Sequence, residues 1–417
     1  MANEDLFEAR LKRVNDAIAL KESDQLPLIP APSGLPYHLY GQGSHAATFY
    51  DYEAVVEPVL KFYDEFKPDI CWPPNLMSGK ANEIAETALV DWPGRPGTKL
   101  SDFSTYQVEE KEFMKQEEYD EAIKDLTRFI INKYIPRAWP GLKGLSMFSF
   151  NPAASLGTQI FRNAFSAPVV EALEKILEMA KQNAKAEEVA AILGDKLTQA
   201  GFPRLWNMVA EAPFDIISDF LRGTMGMFED QLECPDKIAA LCDVLADNQI
   251  ANLQFLKFVP MPVKRVYFPL HKGMDKFISD DQYLNLYWRP LQKIIKALID
   301  MNVTPFIYTE GPYDTRVTTM VEELQKLPAG KCLIHFETGD FAKFKKAFSG
   351  LACISGGVSI VDLEFGSREK IVNQVKYLID NCAPGGGYML ATSGTVEMAK
   401  RENVEAMFET ARTYGKN

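Results

Sequence analysis

Four short apolar runs decide the fold: VTPFIYTEG (303–311), KCLIHFET (331–338), LACISGGVS (351–359) and GGYMLATS (386–393). Each run has the length of a strand. The segments between them, such as YDTRVTTMVEELQKL (313–327) and SREKIVNQVKYLIDNC (367–382), space their apolar residues as helices do. Strands that alternate with helices form parallel sheets through right-handed crossovers. The pattern therefore predicts an α/β protein, built on either an open sheet or a closed barrel.

The same alternation extends toward the N-terminus. RVYFPL (265–270) is another apolar run of strand length, and GLSMFSF (144–150) is predicted as a further strand, with a helix-rich block at 158–258 between them. KPDICWPP (67–74) is predicted as a short buried strand that two prolines end.

Two regions lie outside this alternation. Residues 1–66 are predicted as an N-terminal extension with helices at 5–22 and 51–66 and an extended, proline-rich segment between them. Residues 91–113 are rich in Gly, Pro and polar residues without a sustained period, so they are predicted as an insertion loop. Long ordered loops in compact enzymes are often lids or binding loops.

Composition limits the class of partner. The chain has 417 residues, of which 47% are hydrophobic and 24% charged, which is typical of a globular protein with a large core. Its formal net charge is −12, and it has no basic cluster of the kind that binds a phosphate backbone. No G-x-G-x-x-G or P-loop sequence follows any predicted strand. We therefore expect a small-molecule substrate or a protein partner, and no nucleic acid.

The cysteines and the N-terminus indicate a compartment. Six cysteines are scattered without a C-x-x-C pair, so neither a disulfide scaffold nor a zinc ribbon is predicted. The N-terminus is a charged helical pattern without an apolar signal core, and no run reaches the roughly 18 apolar residues of a membrane span. The expectation is a cytoplasmic protein with no membrane partner.

The last third of the chain carries a family resemblance. GVSIVDLEFGSREKIVNQVKYLIDNCAPGGGYMLATSGTVEMAKRENVEAMFETARTYG (357–415) resembles the C-terminal signature of the uroporphyrinogen decarboxylase-like superfamily, and residues 213–237, 271–295 and 308–337 agree with it in order. The resemblance covers roughly 200–417. It implies a (β/α)8 TIM barrel with the active site at the C-terminal ends of the strands. We expect a single domain over 1–417, with the N-terminal helical extension and the loop insertion as decorations.

Within the superfamily, two reactions are to be considered. True decarboxylases hold the propionate groups with an Arg-rich N-terminal stretch, whereas residues 27–45 of this chain contain no arginine. The chain is more similar to the corrinoid-dependent methyltransferases, which exchange a methyl group with a corrinoid (cobamide) carried by a separate protein. No Asp-x-His-x-x-Gly corrinoid-binding sequence is present, so the resemblance places the cofactor on that partner.

The zinc motif of the thiol-activating methyltransferases is altered here. Those members use His-x-Cys and a distant Cys, but this chain has His335-Phe336-Glu337 and no cysteine in ATSGTV (391–396). Residues i and i+2 of a strand share a face. His335 and Glu337 are therefore candidate ligands of a harder metal site, with zinc as one candidate, or else a structural hydrogen-bonded pair. The chain is thus similar to the methyltransferases that start from methyl ethers.

Two further strand ends carry candidate catalytic residues. Glu310 shares a face with Tyr308 at the end of VTPFIYT and is a candidate acid that protonates a leaving oxygen. His271 follows RVYFPL directly and is a candidate for the same work. The alternatives are a first-turn helix charge for Glu310 and a structural hydrogen bond for His271.

Several loop and strand-end residues are candidates for substrate binding. Aromatic rings could stack on an aromatic substrate, and polar groups could line its entrance, although the same residues could simply pack the loops. The candidates are His38, His45, Trp72, Tyr106 and Ser393.

Together these residues predict a methyltransferase that takes a methyl group from a methoxylated, aromatic donor to the cob(I)amide of a corrinoid protein. The ether oxygen is a poor leaving group, so electrophilic help is needed from an acid or a metal. The alternatives are a decarboxylase of unknown substrate, favoured if Arg265, Arg289 or Arg316 reaches the active-site rim, and a non-catalytic binding barrel. A homodimer is left open.

Overall fold

The computed structural model describes residues 3–72, 74–154 and 156–415, and its centre is a parallel sheet. Six strands lie side by side in chain order. They are Met208–Val209, Arg265–Leu270, Thr304–Thr309, Leu333–Phe336, Cys353–Val358 and Tyr388–Thr392. The last four coincide with the four apolar runs, which confirms that those runs are parallel neighbours.

Two extended segments close this sheet into a barrel. Residues 27–31 lie parallel to the last strand, because the N–H of Ile29 donates to the carbonyl of Leu390 and the N–H of Leu390 donates to that of Pro27, both at 2.9 Å. The N–H of Asp69 donates to the carbonyl of Leu28, and Cys71 forms a parallel bridge with residue 204. Eight extended segments therefore form a ring, and the predicted (β/α)8 barrel is confirmed.

Helices surround the ring. The α-helices are Asn3–Ile18, Leu35–Tyr40, Ala47–Tyr50, Val56–Phe66, Gly79–Ala85, Tyr119–Lys124, Leu126–Phe129, Ile135–Ala138, Ala167–Gln199, Pro213–Asp215, Gly223–Glu233, Pro235–Leu253, Asp280–Gln282, Arg289–Asp300, Val317–Leu324, Phe341–Ala347, Ile360–Phe365, Arg368–Cys382 and Arg401–Tyr414. Helix Ala167–Gln199 is the return helix before the third segment of the ring. None of the helices in the described ranges is long and apolar enough to cross a membrane.

The helices pack on the barrel through apolar stripes. Helix Arg289–Asp300 buries Leu291, Ile294, Ile295 and Leu298, which the i, i+3, i+4, i+7 spacing places on one face. Each such side chain contributes about 1.5–3 kcal/mol by its burial.

The inside of the barrel is filled, and its N-terminal end is closed. Val14, Ala17 and Ile18 of the first helix belong to the same apolar cluster as interior residues such as Leu333 and Met389. The barrel is therefore open to substrate only at the opposite end, where the strands finish.

One predicted strand is wrong. GLSMFSF (144–150) is not in the sheet, because residues Pro140–Met147 form a 3₁₀ helix. Leu142 and Leu145 pack with Ala172 of the return helix in a small separate core, and Gly144 lies so close to that helix that a Cβ would come within 1.8 Å of the carbonyl of Pro168. The missing strand is Met208–Val209, which is only two residues long.

Residues 91–113 form a loop. It contains one short antiparallel ladder, between Val90–Asp91 and Gln107–Val108.

Candidate active site

Ionisable residues follow the strands at one end of the barrel. His271, Glu310 and Glu337 come directly after Arg265–Leu270, Thr304–Thr309 and Leu333–Phe336, and Glu211 comes two residues after Met208–Val209. The carboxyl ends of barrel strands meet at one face, which is where barrel enzymes carry their active sites. We call this end the mouth.

His271 joins the mouth through two carboxylates. Its Nδ1 lies 2.6 Å from Oδ2 of Asp219, and its Nε2 lies 3.7 Å from Oε1 of Glu310. Burial alone would lower the pKa of His271, but the hydrogen bond to Asp219 and the charges of Asp215 and Glu310 raise it to about 10. At neutral pH His271 is therefore an imidazolium that donates to Asp219 and faces Glu310.

A buried carboxyl group positions this histidine. Asp215 accepts hydrogen bonds from the N–H of His271 at 2.9 Å, from the N–H of Lys272 at 3.1 Å and from the hydroxyl of Tyr287 at 2.6 Å. Burial and the charge of Asp219 raise the pKa of Asp215 to about 7. Asp215 thus fixes the backbone that carries His271.

Glu211 is a carboxylic acid with a free oxygen. Gln249 fixes its backbone through two 2.9 Å hydrogen bonds, one to the N–H and one to the carbonyl. Its Oε2 is buried and has no hydrogen-bond partner. Burial raises the pKa of Glu211 to about 8, so the group is mostly protonated at neutral pH and can donate to a ligand. Sequence reasoning missed Glu211 because it missed the two-residue strand before it.

The insertion loop reaches the mouth. Partial burial and the charges of Glu211 and Glu310 raise the pKa of Tyr106, so this loop residue lies within electrostatic range of both carboxyl groups. Nζ of Lys272 lies 2.7 Å from Oε1 of Glu110 and ties the loop to the rim next to His271.

His335 is held as a neutral ring. It stacks on Tyr308 with 4.3 Å between ring centroids and 5° between planes. Its Nε2 lies 3.4 Å from the carbonyl oxygen of Ser393, and its Nδ1 lies 3.2 Å from Oγ of Ser355. A carbonyl can only accept, so Nε2 carries the hydrogen and Nδ1 accepts from the serine. Burial lowers the pKa of His335 to about 4, which keeps the ring uncharged.

The predicted metal ligands do not fit a metal centre. Both ring nitrogens of His335 are used within the protein, so no lone pair is left for a metal. Within the described ranges, no group of three or more His, Cys, Asp or Glu side chains could hold a metal ion. This geometry does not favour the metal site predicted at His335 and Glu337, because His335 is a buried, stacked residue.

Glu337 faces the mouth instead. Its Oε2 accepts from the N–H of Gly311 at 2.8 Å, and its Oε1 accepts a long hydrogen bond of 3.4 Å from the hydroxyl of Tyr308. Burial raises the pKa of Glu337. It also lines a cavity of about 510 Å³ together with Ser359, Ser393 and Tyr377.

An aromatic floor lies inside the barrel, below these carboxyl groups. The rings of Trp72, Trp206, Tyr267 and Tyr308 contact one another, with centroid separations of 5.3 to 6.1 Å. The indole N–H of Trp206 is buried without a hydrogen-bond partner. Trp206 and Tyr267 stack at 21°, whereas Trp72 meets both rings edge to face at 78–89°. The floor is an aromatic, apolar surface, which suits an aromatic ligand.

The remaining predicted substrate residues divide into two groups. Ser393 lies at the mouth, where its hydroxyl accepts from the N–H of Ile360 at 3.1 Å. His45 instead pairs with Glu397 and lies edge-on to Tyr37, and His38 is exposed on helix Leu35–Tyr40. No described contact connects either histidine to the aromatic floor.

The three arginines named from the sequence have structural partners. Arg265 begins its strand and donates to the carbonyl of Leu205 at the closed end of the barrel. Arg316 is buried among backbone carbonyls, including those of Gly273 and Ile278. Arg289 pairs with its helix neighbour Asn285. None of these three guanidinium groups lies free at the mouth.

Comparisons with known proteins agree with this architecture. Residues 170–414 match the family model described as Uroporphyrinogen decarboxylase (URO-D). No curated protein matches the chain. A solved methyltransferase from Methanosarcina mazei is similar over 97% of this chain and 98% of its own, with a TM-score of 0.59 and 14% identity, and this likeness shows the fold. Because the family model spans more than half of the chain, the protein belongs to the uroporphyrinogen decarboxylase family.

Proposed function

We propose that this protein is a methyltransferase that moves a methyl group from a methoxylated aromatic donor to the cob(I)amide of a separate corrinoid protein. Family membership supports an enzyme of this superfamily. The similar fold of the solved methyltransferase from Methanosarcina mazei supports the methyltransferase branch. The residues at the mouth support the substrate class.

One observation carries the proposal: a protonated carboxyl group with a free oxygen lies at the mouth above an aromatic floor. Glu211 has an unpartnered Oε2 and a pKa raised to about 8. Breaking an aryl methyl ether leaves a phenoxide, which is a poor leaving group unless it is protonated or otherwise stabilised. Glu211 can give that proton while the ring of the donor rests on Trp72 and Tyr267.

The His271–Glu310 pair holds a second proton at the same mouth. His271 is charged at neutral pH, and the pKa of Glu310 is raised by its burial. After the phenol leaves, Glu211 regains its proton from water that enters the mouth. The corrinoid, bound to its own protein, supplies the nucleophilic cobalt that accepts the methyl group. The chain itself binds and orients the donor and protonates the ether oxygen.

The alternatives fit the mouth less well. A decarboxylase of a polycarboxylate needs cations for its substrate, yet the guanidinium groups of Arg265, Arg289 and Arg316 are all bound to other groups of the protein. A non-catalytic binding barrel has no need of buried carboxyl groups with raised pKa values, which are costly unless they have a use.

The test compares substrates and a matched pair of variants. The purified protein is mixed with cob(I)alamin and a panel of methoxybenzenes, and the consumption of cob(I)alamin and the release of phenol are followed. Glu211→Gln should slow phenol release by about 10²-fold or more, whereas Glu322→Gln, on the exposed face of helix Val317–Leu324, should not. Carbon dioxide release from polycarboxylates without any phenol release would overturn the proposal in favour of the decarboxylase.

A further inference from the structure

The return helix Ala167–Gln199 has a long uncovered side. Its 33 residues make it on the order of 50 Å long. Its buried residues are Val169 and Ala172 near the start and a second group from Ala186 to Leu197, with none between 173 and 185. The middle of the helix therefore runs across the surface with its open side unpacked.

The open side has the spacing of a coiled-coil seam. Val170, Leu173, Leu177, Ala180 and Ala184 alternate steps of three and four residues, and all five are exposed. Such spacing places apolar residues in one line along a helix, ready to pack against a partner helix. We call these five residues the seam.

An exposed aromatic group lies in the segment just before the helix. Phe150 contacts Phe161 at 5.6 Å, and Phe161 stacks on Phe165 at 5.9 Å between ring centroids. Leu156 and Met147 are exposed near them. Together with the seam, these residues make the region around the start of the helix rich in exposed apolar side chains, which is typical of a protein–protein interface.

We propose that the seam binds the seam of a second copy of this chain, with the two helices antiparallel. The bulky residues lie in the first half of the seam and the small ones, Ala180 and Ala184, in the second half. An antiparallel pair places the bulky half of each helix against the small half of the other. A parallel pair would stack bulky residues on bulky ones and leave the alanines facing only each other.

Charges beside the seam are complementary in the same orientation. Glu174 and Lys181 each follow a seam residue at equivalent positions of the heptad, seven residues apart. Equivalent flanking positions face each other in an antiparallel coiled coil, so Glu174 would face Lys181 of the partner subunit, and the symmetry repeats the contact. Within one chain Lys181 pairs only loosely with Glu178 at 3.3 Å, and its side chain is 62% exposed, so it is free to exchange partners.

The first test measures mass in solution. Sedimentation velocity on the native protein at micromolar concentration should give twice the 46.9 kDa of one chain. The double variant Leu173→Glu/Leu177→Glu should give a single chain with unchanged circular dichroism, because both side chains are exposed in the monomer. The control Leu232→Glu, an 83% exposed leucine on helix Gly223–Glu233, should stay dimeric. A native protein that stays monomeric, or a seam variant that stays dimeric, overturns the proposal.

The second test addresses orientation. Glu174→Lys alone and Lys181→Glu alone should each raise the dimer dissociation constant by about tenfold, because like charges then face each other twice. The combination Glu174→Lys/Lys181→Glu should restore the native value, since the two charges exchange places. If the double variant instead dissociates as readily as the two single effects combined would predict, the antiparallel arrangement is overturned. Neither test depends on the proposed activity.

Discussion

Nε2 of His271 lies 3.7 Å from Oε1 of Glu310, although the two residues are 39 positions apart in the chain. The contact exists because Arg265–Leu270 and Thr304–Thr309 are neighbouring parallel strands that end at the same level. On the other side of the ring, Nδ1 of His271 lies 2.6 Å from Oδ2 of Asp219, and this carboxylate keeps the histidine protonated. The mouth thus keeps a proton next to Glu310.

The first prediction concerns the charge on His271. Asp219→Asn removes the hydrogen-bonded carboxylate that raises the pKa of this histidine to about 10, so the pKa should fall toward its ordinary value. The chain has only four histidines, so the imidazole resonances can be followed by NMR titration. A resonance that still titrates near pH 10 in the variant would show that Asp219 is not the cause.

The same shift predicts how stability depends on pH. A histidine whose pKa is raised in the folded state stabilises the fold fully below its unfolded pKa, near 6.5, and this contribution is lost as pH rises through about 10. The free energy of unfolding should therefore fall from pH 7 to 10, and His271→Asn should flatten that slope. Urea unfolding at several pH values measures it. If the free energy of unfolding depends on pH equally in the native protein and in His271→Asn, the raised pKa of His271 is contradicted.

The contribution of His335 to stability should depend on pH in the opposite direction. Burial lowers the pKa of His335 to about 4, so the unfolded chain binds a proton more readily than the folded one between pH 6.5 and 4. The contribution of His335 to stability is lost as pH falls through this window. His335→Asn should reduce the acid dependence, and loss of the stack on Tyr308 should cost about 1–3 kcal/mol at pH 7.

Elemental analysis completes the test on His335. We expect no stoichiometric metal held by this residue, since both ring nitrogens have partners within the barrel. One equivalent of zinc in the native protein that is lost in His335→Asn would contradict the neutral, stacked histidine.

The insertion loop should control substrate binding through one ion pair. Glu110→Gln removes the charge that holds the loop to Lys272. The neighbouring Glu109, which pairs with Lys111 within the loop, provides the control Glu109→Gln. We expect Glu110→Gln to raise KM several-fold with a smaller effect on kcat, because Tyr106 loses its fixed place beside Glu310. Faster proteolysis within 91–113 should accompany it. Equal KM values for both variants would mean that the loop does not depend on this pair.

Much of the barrel could be predicted because its later strands are continuous apolar runs bounded by polar residues. The strand Met208–Val209 was missed because two residues are too few to show a periodic pattern. GLSMFSF was wrongly placed in the sheet because a short apolar run can pack equally well against a helix as a 3₁₀ helix. Residues 27–31 and 69–72 complete the ring through pairing that only the closed barrel provides.

The site residues could be predicted wherever the strand before them could be. Glu310 and His271 were found because they follow clear strands, whereas Glu211 follows the strand that was missed. The chemistry of His335 depends on strand register, which pairs it with Tyr308 on one side and Ser355 on the other. No local pattern in the sequence fixes that register. The sequence alone therefore could not show that both ring nitrogens of His335 have partners within the protein.

The most direct test of the account is the pH dependence of phenol release from a methoxybenzene in the presence of cob(I)alamin. Glu211 has to be protonated to act as the acid, and burial raises its pKa to about 8. The native rate should therefore fall tenfold per pH unit above about pH 8. Glu211→Gln should be slower by about 10²-fold at pH 7 and lose this limb of the profile. A native rate that does not fall above pH 8, or a variant with the native rate and profile, would contradict the central claim that Glu211 protonates the leaving oxygen.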